Sequence, residues 1–252
     1  MRLGWIRVAG AVLAWTTMTG CGSGPPADAA PTDRMAFLVM SAGGMVPAVL
    51  YAMQSPSLAV YGDGRVLTAV AAPALQLVPA RYQVAHVDPA VVRDFLAAAR
   101  SGGLFDGGTD FGSPRVTDLP TTTVMVDGSQ VRVYALDERF DTGLSPAQRD
   151  ARARLRALIE RASGLSGGAP LEAFVPSRIV VSEPRPGRNE DPAVTPWPGP
   201  PPARLRTPTG TGRAIACGEL TGTDAAAVYT AALDNPGARW LIDRATRVLA
   251  VN

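Results

Sequence analysis

The sequence predicts an α+β fold in which antiparallel sheets are each packed by one or two helices. Two Asp-Gly pairs, at 63–64 and 127–128, each separate runs of strand-forming residues, as in β-hairpins. Two other stretches repeat apolar residues with the helical period, and each starts at a capping residue followed by proline. Hairpins pair their strands antiparallel, and the two helices would cover one face of such a sheet.

The first strands precede residue 70. The apolar run at residues 35–40, Met-Ala-Phe-Leu-Val-Met, predicts a strand entering the core. Residues 57–61 and 65–68 predict a hairpin, because Asp63 and Gly64 offer the positive φ angles of a type I′ turn. A calcium loop at this turn is disfavoured, since one carboxylate cannot supply six to eight oxygen ligands.

A strand at 81–87 is predicted to lead into the first helix. Asp88 and Pro89 provide its N-cap and first residue, and the glycines at 102–103 end it. Its core-facing stripe is predicted to contain Val92, Phe95, Leu96 and Ala99.

Strands at 121–126 and 130–136 form the second predicted hairpin. A second helix starts at Ser145 and Pro146 and reaches about Ala162, with Leu155, Leu158 and Ile159 inward. This helix carries arginines at 149, 152, 154, 156 and 161. Such a helix can lie on anionic lipid. Asp150 stands four residues before Arg154, which favours an ordinary solvated face with helix-surface pairing.

The C-terminal third starts with a proline-rich segment. Residues 184–208 hold nine prolines in 25 positions, which predicts loop or polyproline II rather than strand or helix. The segment would be either a partner-binding stretch or a connection anchored by Trp197. A strand at 213–220, a helix at 223–233 and a hairpin at 239–251 follow. The same order at 81–136 predicts two related strand-helix-hairpin units joined by this segment.

The predicted domain organisation has five parts. They are a signal peptide at 1–20, a lipidated cysteine with a flexible tether at 21–34, an α+β domain at 35–166, a Pro/Gly-rich connection at 167–212 with one short strand near 178–182, and a C-terminal unit at 213–252.

The N-terminus resembles a secretory signal. Arg2 and Arg7 flank the start of an apolar run that ends near Met18, and this run is shorter than the roughly 20 residues of a membrane span. Residues 18–21, Met-Thr-Gly-Cys, resemble a lipobox that is cleaved after Gly20 and lipidated on Cys21. Met18 stands where leucine is usual, and an ordinary signal with a chance cysteine is the alternative. Lipidation would place the protein outside the cytoplasm, anchored to the outer face of the cytoplasmic membrane.

Residues 22–34 form the predicted tether, because they lack apolar periodicity and are rich in Gly, Ser, Pro, Ala, Asp and Thr. These residues span roughly 43 Å when fully extended, at about 3.3 Å each. As a coil they span roughly 20 Å. The folded part is therefore expected close to the membrane.

Composition limits the partners. Beyond residue 20, the 22 remaining basic residues balance 22 acidic ones, so nucleic-acid binding has no electrostatic support. All basic residues are arginine, which together with abundant Ala, Gly and Pro is typical of GC-rich actinobacterial genomes. If Cys21 carries lipid, Cys217 has no intrachain partner and is expected to be a small buried hydrophobe. An intermolecular bridge and a reactive thiol are the alternatives.

Catalytic groups are few. His86 is the only histidine, which removes most zinc and Ser/His/Asp schemes, and we expect it to be structural or surface-exposed. Asp106, Asp110 and Asp118 form the densest carboxylate region and are the candidate ligand or metal loop. Aspartate is equally common in capping turns. The Gly-rich residues 209–213 precede a strand rather than a helix, unlike a phosphate loop, and no cofactor is indicated.

Three motifs carry a resemblance to a known family: Tyr-Gly-Asp-Gly-Arg-Val at 61–66, the segment 110–123, and Ser-Pro-Ala-Gln-Arg at 145–149. In these the chain resembles an actinobacterial family of uncharacterised secreted proteins and lipoproteins, over most of residues 35–165. It is also similar to a broader domain of unknown function with a Tyr-Gly-Asp-Gly hairpin. The resemblance implies an envelope location and an α+β domain, and it supplies no catalytic residues to carry over.

The leading hypothesis is a lipid-anchored, non-enzymatic module that binds an envelope protein or a small ligand. An envelope hydrolase using Asp106, Asp110 or Asp118 is the first alternative. A structural envelope component is the second.

Overall fold

The computed structural model describes residues 34–46, 54–71, 79–183, 194–201, 216–235, 239–242, 245–247 and 250–251. The predicted signal peptide, the lipobox with Gly20 and Cys21, most of the tether and the Gly-rich stretch at 209–213 lie outside these residues.

Seven strands form the largest sheet. They are β1 (Met35–Gly43), β2 (Leu58–Tyr61), β3 (Arg65–Val70), β4 (Arg81–His86), β5 (Pro120–Val126), β6 (Ser129–Tyr134) and β7 (Glu172–Phe174). Their order is β6-β5-β1-β2-β3-β4-β7, and every neighbouring pair is antiparallel. The predicted α+β class with antiparallel sheets is confirmed.

Two helices, α1 (Pro89–Ser101) and α2 (Pro146–Ser163), pack on one face of this sheet. Alternate residues of β5 are buried there, as expected for a strand with one core-facing side. The ring of Phe37 on β1 meets Phe95 of α1 edge-to-face, with centroids 5.2 Å apart. All four apolar residues predicted on the inner face of α1 are buried.

The starts of both helices follow the predicted capping. The carboxylate of Asp88 accepts from the Ala90 N–H at 2.7 Å. Ser145 and Gln148 form a reciprocal capping box, since Ser145 Oγ accepts from Gln148 N–H while Gln148 Oε1 accepts from Ser145 N–H. Short 3-10 turns at Glu138–Phe140 and Gly164–Ser166 flank α2.

The two hairpins use different turns. At 127–128 both residues have positive φ, 46° and 91°, as a two-residue type I′ turn requires. At 62–64 only Gly64 has positive φ, and its N–H donates to the Tyr61 carbonyl at 3.1 Å. The predicted type I′ turn at Asp63–Gly64 is therefore wrong. The loop has three residues, with glycine alone at the left-handed position.

The remaining strands form two three-stranded sheets. One contains β8 (Arg178–Glu183), β10 (Ala216–Thr221) and β13 (Ala250–Val251), in the order β10-β8-β13. The other contains β9 (Val194–Pro196), β11 (Arg239–Ile242) and β12 (Ala245–Arg247), in the order β12-β11-β9. The third helix, α3 (Gly222–Asp234), buries Val228 and Tyr229 against Ile179 and Val181 of β8. These residues form a second hydrophobic core, here called the second core.

Several C-terminal details differ from the predictions. Strand β8 matches the strand predicted near 178–182, but β7 was not predicted and joins the first sheet from within the predicted connection. Strand β9 forms a ladder inside the proline-rich segment, where none was expected. It is only three residues long at a sheet edge, where a proline that cannot donate is tolerated.

The two predicted strand-helix-hairpin units share an element order but not an arrangement. In the first unit β4, β5 and β6 belong to one sheet, whereas β10 and the β11–β12 hairpin belong to two. Strand β13, predicted as part of the last hairpin, pairs with β8 instead. A relation by duplication remains a prediction.

The face of the large sheet opposite α1 and α2, here called the open face, has its own small apolar cluster. Ala59, Leu67 and Val84 are buried on it, and half-buried Tyr82 stacks edge-to-face with Phe174. The hydroxyl of Tyr229 in α3 donates to the Ala80 carbonyl at 2.8 Å, which connects the second core to the start of β4.

The two ends of the large sheet also differ. At the end called the tether end, the Arg34 carbonyl accepts from Gly62 N–H at 3.3 Å, and the Ala36 carbonyl accepts from Asp127 N–H at 2.8 Å. Both hairpin turns therefore lie where β1 begins. At the opposite, distal end, Gly43 faces Pro120.

Candidate functional site

Asp110, the middle member of the predicted carboxylate loop, holds that loop against α2. Its Oδ1 accepts from Gly112 N–H and its Oδ2 from Gln148 Nε2, each at 2.8 Å. The hydrogen bond from Gln148, and after it the one from Gly112, lowers the pKa of Asp110. Because Gln148 also closes the capping box, this carboxylate couples the loop to the start of the helix.

Asp106 and Asp118, the other two members, are both exposed. Asp118 has a φ of 62°, and its backbone carbonyl accepts from Met45 N–H at 3.3 Å at the distal end. No hydrogen bond between described residues joins the three carboxylates. Nor do the described residues contain a group of three or more His, Cys, Asp or Glu side chains placed to hold a metal ion. The hydrolase alternative stays a prediction.

Asp63, in the turn where a calcium loop was disfavoured, forms hydrogen bonds within its own hairpin. Its carboxylate accepts from the Arg65 N–H at 3.1 Å and from Arg65 Nε at 2.8 Å. The Arg65 guanidinium also lies over the Tyr61 ring, 4.4 Å from its centroid. The Tyr-Gly-Asp-Gly-Arg motif is thus a turn stabilised by contacts among its own side chains and backbone.

His86 is exposed at the end of β4, opposite Arg65. Cys217 lies on β10 opposite Ser182, and its side chain is outside the described part of the structure.

The arginines of α2 mostly bind backbone and carboxylate groups of the same chain. Arg149 donates to the Leu144 carbonyl. Arg154 pairs with Asp150 at 3.0 Å, as the four-residue spacing predicted. Arg152 and Arg156 both bind Asp141. Of the five arginines, only Arg161 has no partner among the described residues. This pattern leaves little of the arginine face for a lipid surface.

Asp141 is the centre of the most buried polar cluster among the described residues. Arg152 Nε donates to its Oδ1 at 2.6 Å and Arg156 Nη2 to its Oδ2 at 2.8 Å. Burial acts to raise the pKa of Asp141, but the hydrogen bonds and charges of Arg156 and Arg152 outweigh it and lower that pKa. A carboxylate held in this way is a structural anion rather than a general acid.

Sequence reasoning missed this cluster. Its signal was the position of Arg152, three residues before Leu155 and therefore on the core-facing side of α2.

Trp197 anchors the described part of the proline-rich segment. Its indole packs against the second core and donates from Nε1 to the Pro200 carbonyl at 2.8 Å. A Cβ on Gly199 would lie 2.5 Å from the indole ring, so only glycine fits there. This arrangement supports the reading of the segment as an anchored connection.

Comparisons of the chain with protein-family models, curated proteins and solved structures found no match. The family resemblance drawn from the three motifs therefore stays a prediction. Among the described residues, no helix has both the length and the hydropathy needed to cross a bilayer.

Proposed function

We propose that this chain is a lipid-anchored cell-envelope protein that acts as a non-enzymatic binding or interaction module. The observation that carries this proposal is the Met-Thr-Gly-Cys box at 18–21, placed directly after a short apolar run that follows Arg2 and Arg7. Acyl chains on Cys21 would anchor the protein, at about 0.8 kcal/mol per buried CH₂.

The junction between tether and fold is compatible with this anchoring. Arg34 leads directly into β1 at the tether end, so the lipidated segment would meet the fold at this end of the sheet. Of the charges at the tether end, Asp63 pairs with Arg65 and Asp127 with Arg100 at 2.6 Å, whereas Arg34 is exposed and forms no ion pair with a described residue. Membrane attachment would then depend on the lipid rather than on a basic surface.

The state of the described carboxylates supports a non-enzymatic role. Asp63, Asp110 and Asp141 each accept hydrogen bonds that stabilise a turn, a loop or a helix contact. A catalytic acid would instead need a raised pKa, and the shifts found for Asp110 and Asp141 are downward. The proposed partners are the membrane and an envelope protein or small ligand. Nucleic acid is not among them, because the charge beyond residue 20 is balanced.

Acyl labelling tests the anchor. Cells expressing the full chain would be grown with labelled palmitate, as wild type, Cys21→Ala and Cys217→Ala. Wild type and Cys217→Ala are expected to take up label and sediment with membranes, whereas Cys21→Ala should do neither. Globomycin should cause the unprocessed wild-type form to accumulate. If wild type and Cys21→Ala fractionate alike and neither takes up lipid, the anchor is disproved.

Cross-linking on intact cells tests the binding role. The wild-type chain is expected to capture the same envelope component in repeated membrane preparations. Failure to recover any recurring component would contradict the binding role while leaving the anchor standing.

A further inference from the structure

Strand β6 is one of the two edge strands of the large sheet and pairs only with β5 within it. Ser129, Gln130 and Arg132 on it are exposed, so no other described residue covers this part of the edge closely. Edge strands of this kind present unpaired backbone groups to the surroundings.

The direction of each backbone group on β6 follows from the ladder with β5. The Ala135 N–H donates to the Pro120 carbonyl at 2.9 Å, which places residue 135 among those pointing toward β5. Hydrogen-bonded and outward-facing residues alternate along an antiparallel strand. The backbone N–H and C=O groups of Val131 and Val133 therefore also point toward β5, while those of Gln130 and Arg132 point outward, away from the sheet. The outward carbonyl of Tyr134 accepts from Arg152 Nη1 at 3.2 Å, so the accessible stretch ends before it.

The side chains define what would fit there. Val131 is half-buried on the helix-covered face and packs against the main core, so an added residue opposite it would extend that core. Arg132 is exposed on the open face and forms no ion pair with any described residue. A residue directly opposite it would lie about 5 Å away between Cβ atoms, close enough for a carboxylate to pair.

We propose that β6 accepts an extended segment of an envelope protein as an eighth strand, with an apolar residue opposite Val131 and a carboxylate opposite Arg132. The proposal rests on the binding role proposed above and names its surface and the chemistry of its partner. Backbone pairing at Gln130 and Arg132 would provide the attachment, and the alternating side chains would provide the preference.

Fluorescence anisotropy of the whole chain in detergent tests this proposal. The probes are fluorescein-labelled octapeptides with blocked ends: (Val-Glu)₄, its basic counterpart (Val-Lys)₄, and (Pro-Glu)₄, which has the same charge but no N–H at alternate positions. The acidic valine peptide is expected to bind at least about tenfold more tightly than either control.

Two variants of β6 separate backbone pairing from charge. Arg132→Pro removes one outward N–H while sparing the ladder to β5, and should weaken (Val-Glu)₄ at least about tenfold. Arg132→Thr keeps the N–H and should abolish the preference for acidic over basic peptide. Arg161→Thr removes an exposed arginine from α2 and should change neither the affinity for (Val-Glu)₄ nor the preference for the acidic peptide. Thermal unfolding of each variant checks that it is folded. If Arg132→Pro does not fold, Arg132→Thr still tests the predicted preference for an acidic peptide.

Four outcomes of the peptide-binding experiment would overturn the proposal. They are no binding of (Val-Glu)₄, equal binding of (Pro-Glu)₄, unchanged binding after folded Arg132→Pro, and a preference for acidic peptide that survives Arg132→Thr. Concentration-dependent dimers lost in Arg132→Pro would identify a second copy as the occupant and would also overturn it. None of these outcomes affects capture of an envelope component by cross-linking. That experiment therefore tests the binding role independently of the β6 edge.

Discussion

Arg152 Nε donates to a carboxylate oxygen of Asp141 over 2.6 Å, although the Arg152 side chain is completely buried. Its other N–H groups donate to the carbonyls of Tyr134 and Ala135, at the end of β6. The second Asp141 oxygen is bound by Arg156. This cluster therefore attaches α2 to the loop that follows β6. A buried charge is tolerated only when it is paired and hydrogen-bonded in this way.

Replacing Arg152 with methionine should destabilise the protein by about 3–5 kcal/mol, because removal of one partner leaves buried acceptors unsatisfied. Urea unfolding of the whole chain measures the loss. Arg161→Met is the matched control, since Arg161 is exposed on the same helix, and it should change the free energy of unfolding little. A loss for Arg152→Met as small as that of the control would show that the cluster does not contribute to stability.

Asp141 should make stability depend on acid pH. Its pKa is lowered in the folded protein, so its contribution is complete above the unfolded value of about 3.9 and is lost as pH falls through the lower folded value. The asparagine variant lacks this contribution. Urea unfolding from about pH 6 to about pH 2 should therefore show the gap between wild type and Asp141→Asn narrowing only below about pH 4. A gap that is constant over this range contradicts the charged pairing.

Tyr82 should make stability depend on alkaline pH. Burial raises its pKa from 10.0 to about 12, while its hydroxyl donates to the Pro56 carbonyl at 2.6 Å. The folded state therefore retains this proton longer than the unfolded state, and the stability it provides is lost as pH rises from about 10 to about 12. Tyr82→Phe should cost about 1 kcal/mol at neutral pH for the lost hydrogen bond.

The alkaline prediction is checked by the difference between the two proteins. Wild type should lose its advantage over Tyr82→Phe as pH rises past 10. Absorbance at the phenolate band should show one fewer late-titrating tyrosine in the variant. Parallel stability curves through this range would mean that Tyr82 titrates normally.

Local patterns were enough to predict most of the helices and hairpins between residues 35 and 166. The caps at Asp88 and Ser145 and the inner face of α1 follow from short-range rules, and the structure reproduces them. Apart from the type I′ turn at Asp63–Gly64, the misses are long-range. Strand β7 is three residues long and is defined by pairing with β4, and β13 leaves its neighbouring hairpin for β8. Such short strands have no periodicity of their own, so only tertiary pairing specifies them.

The candidate site was harder to predict for a related reason. Asp110 lies in a loop where a carboxylate can serve a ligand or a turn, and composition cannot separate the two. The distinction comes from Gln148, which is 38 residues away in sequence and donates to it. Likewise, the edge position of β6 depends on the order of all seven strands, which hairpin signals do not determine.

Gly64 should tolerate alanine far less than Gly143, although both have strongly positive φ angles, 98° and 84°. A Cβ on Gly64 would lie 2.1 Å from the Val87 carbonyl oxygen, whereas a Cβ on Gly143 meets nothing within 4 Å. Gly143→Ala should therefore cost only the strain of a left-handed residue, about 1 kcal/mol. Gly64→Ala adds a clash with backbone and threatens the bond from Val87 N–H to the Gly64 carbonyl, so about 3 kcal/mol or more is expected. Urea unfolding of both variants measures the difference. Equal losses in the free energy of unfolding would mean that the hairpin loop can move away from β4 at little cost. Close packing against the start of α1 would then not fix the position of the loop.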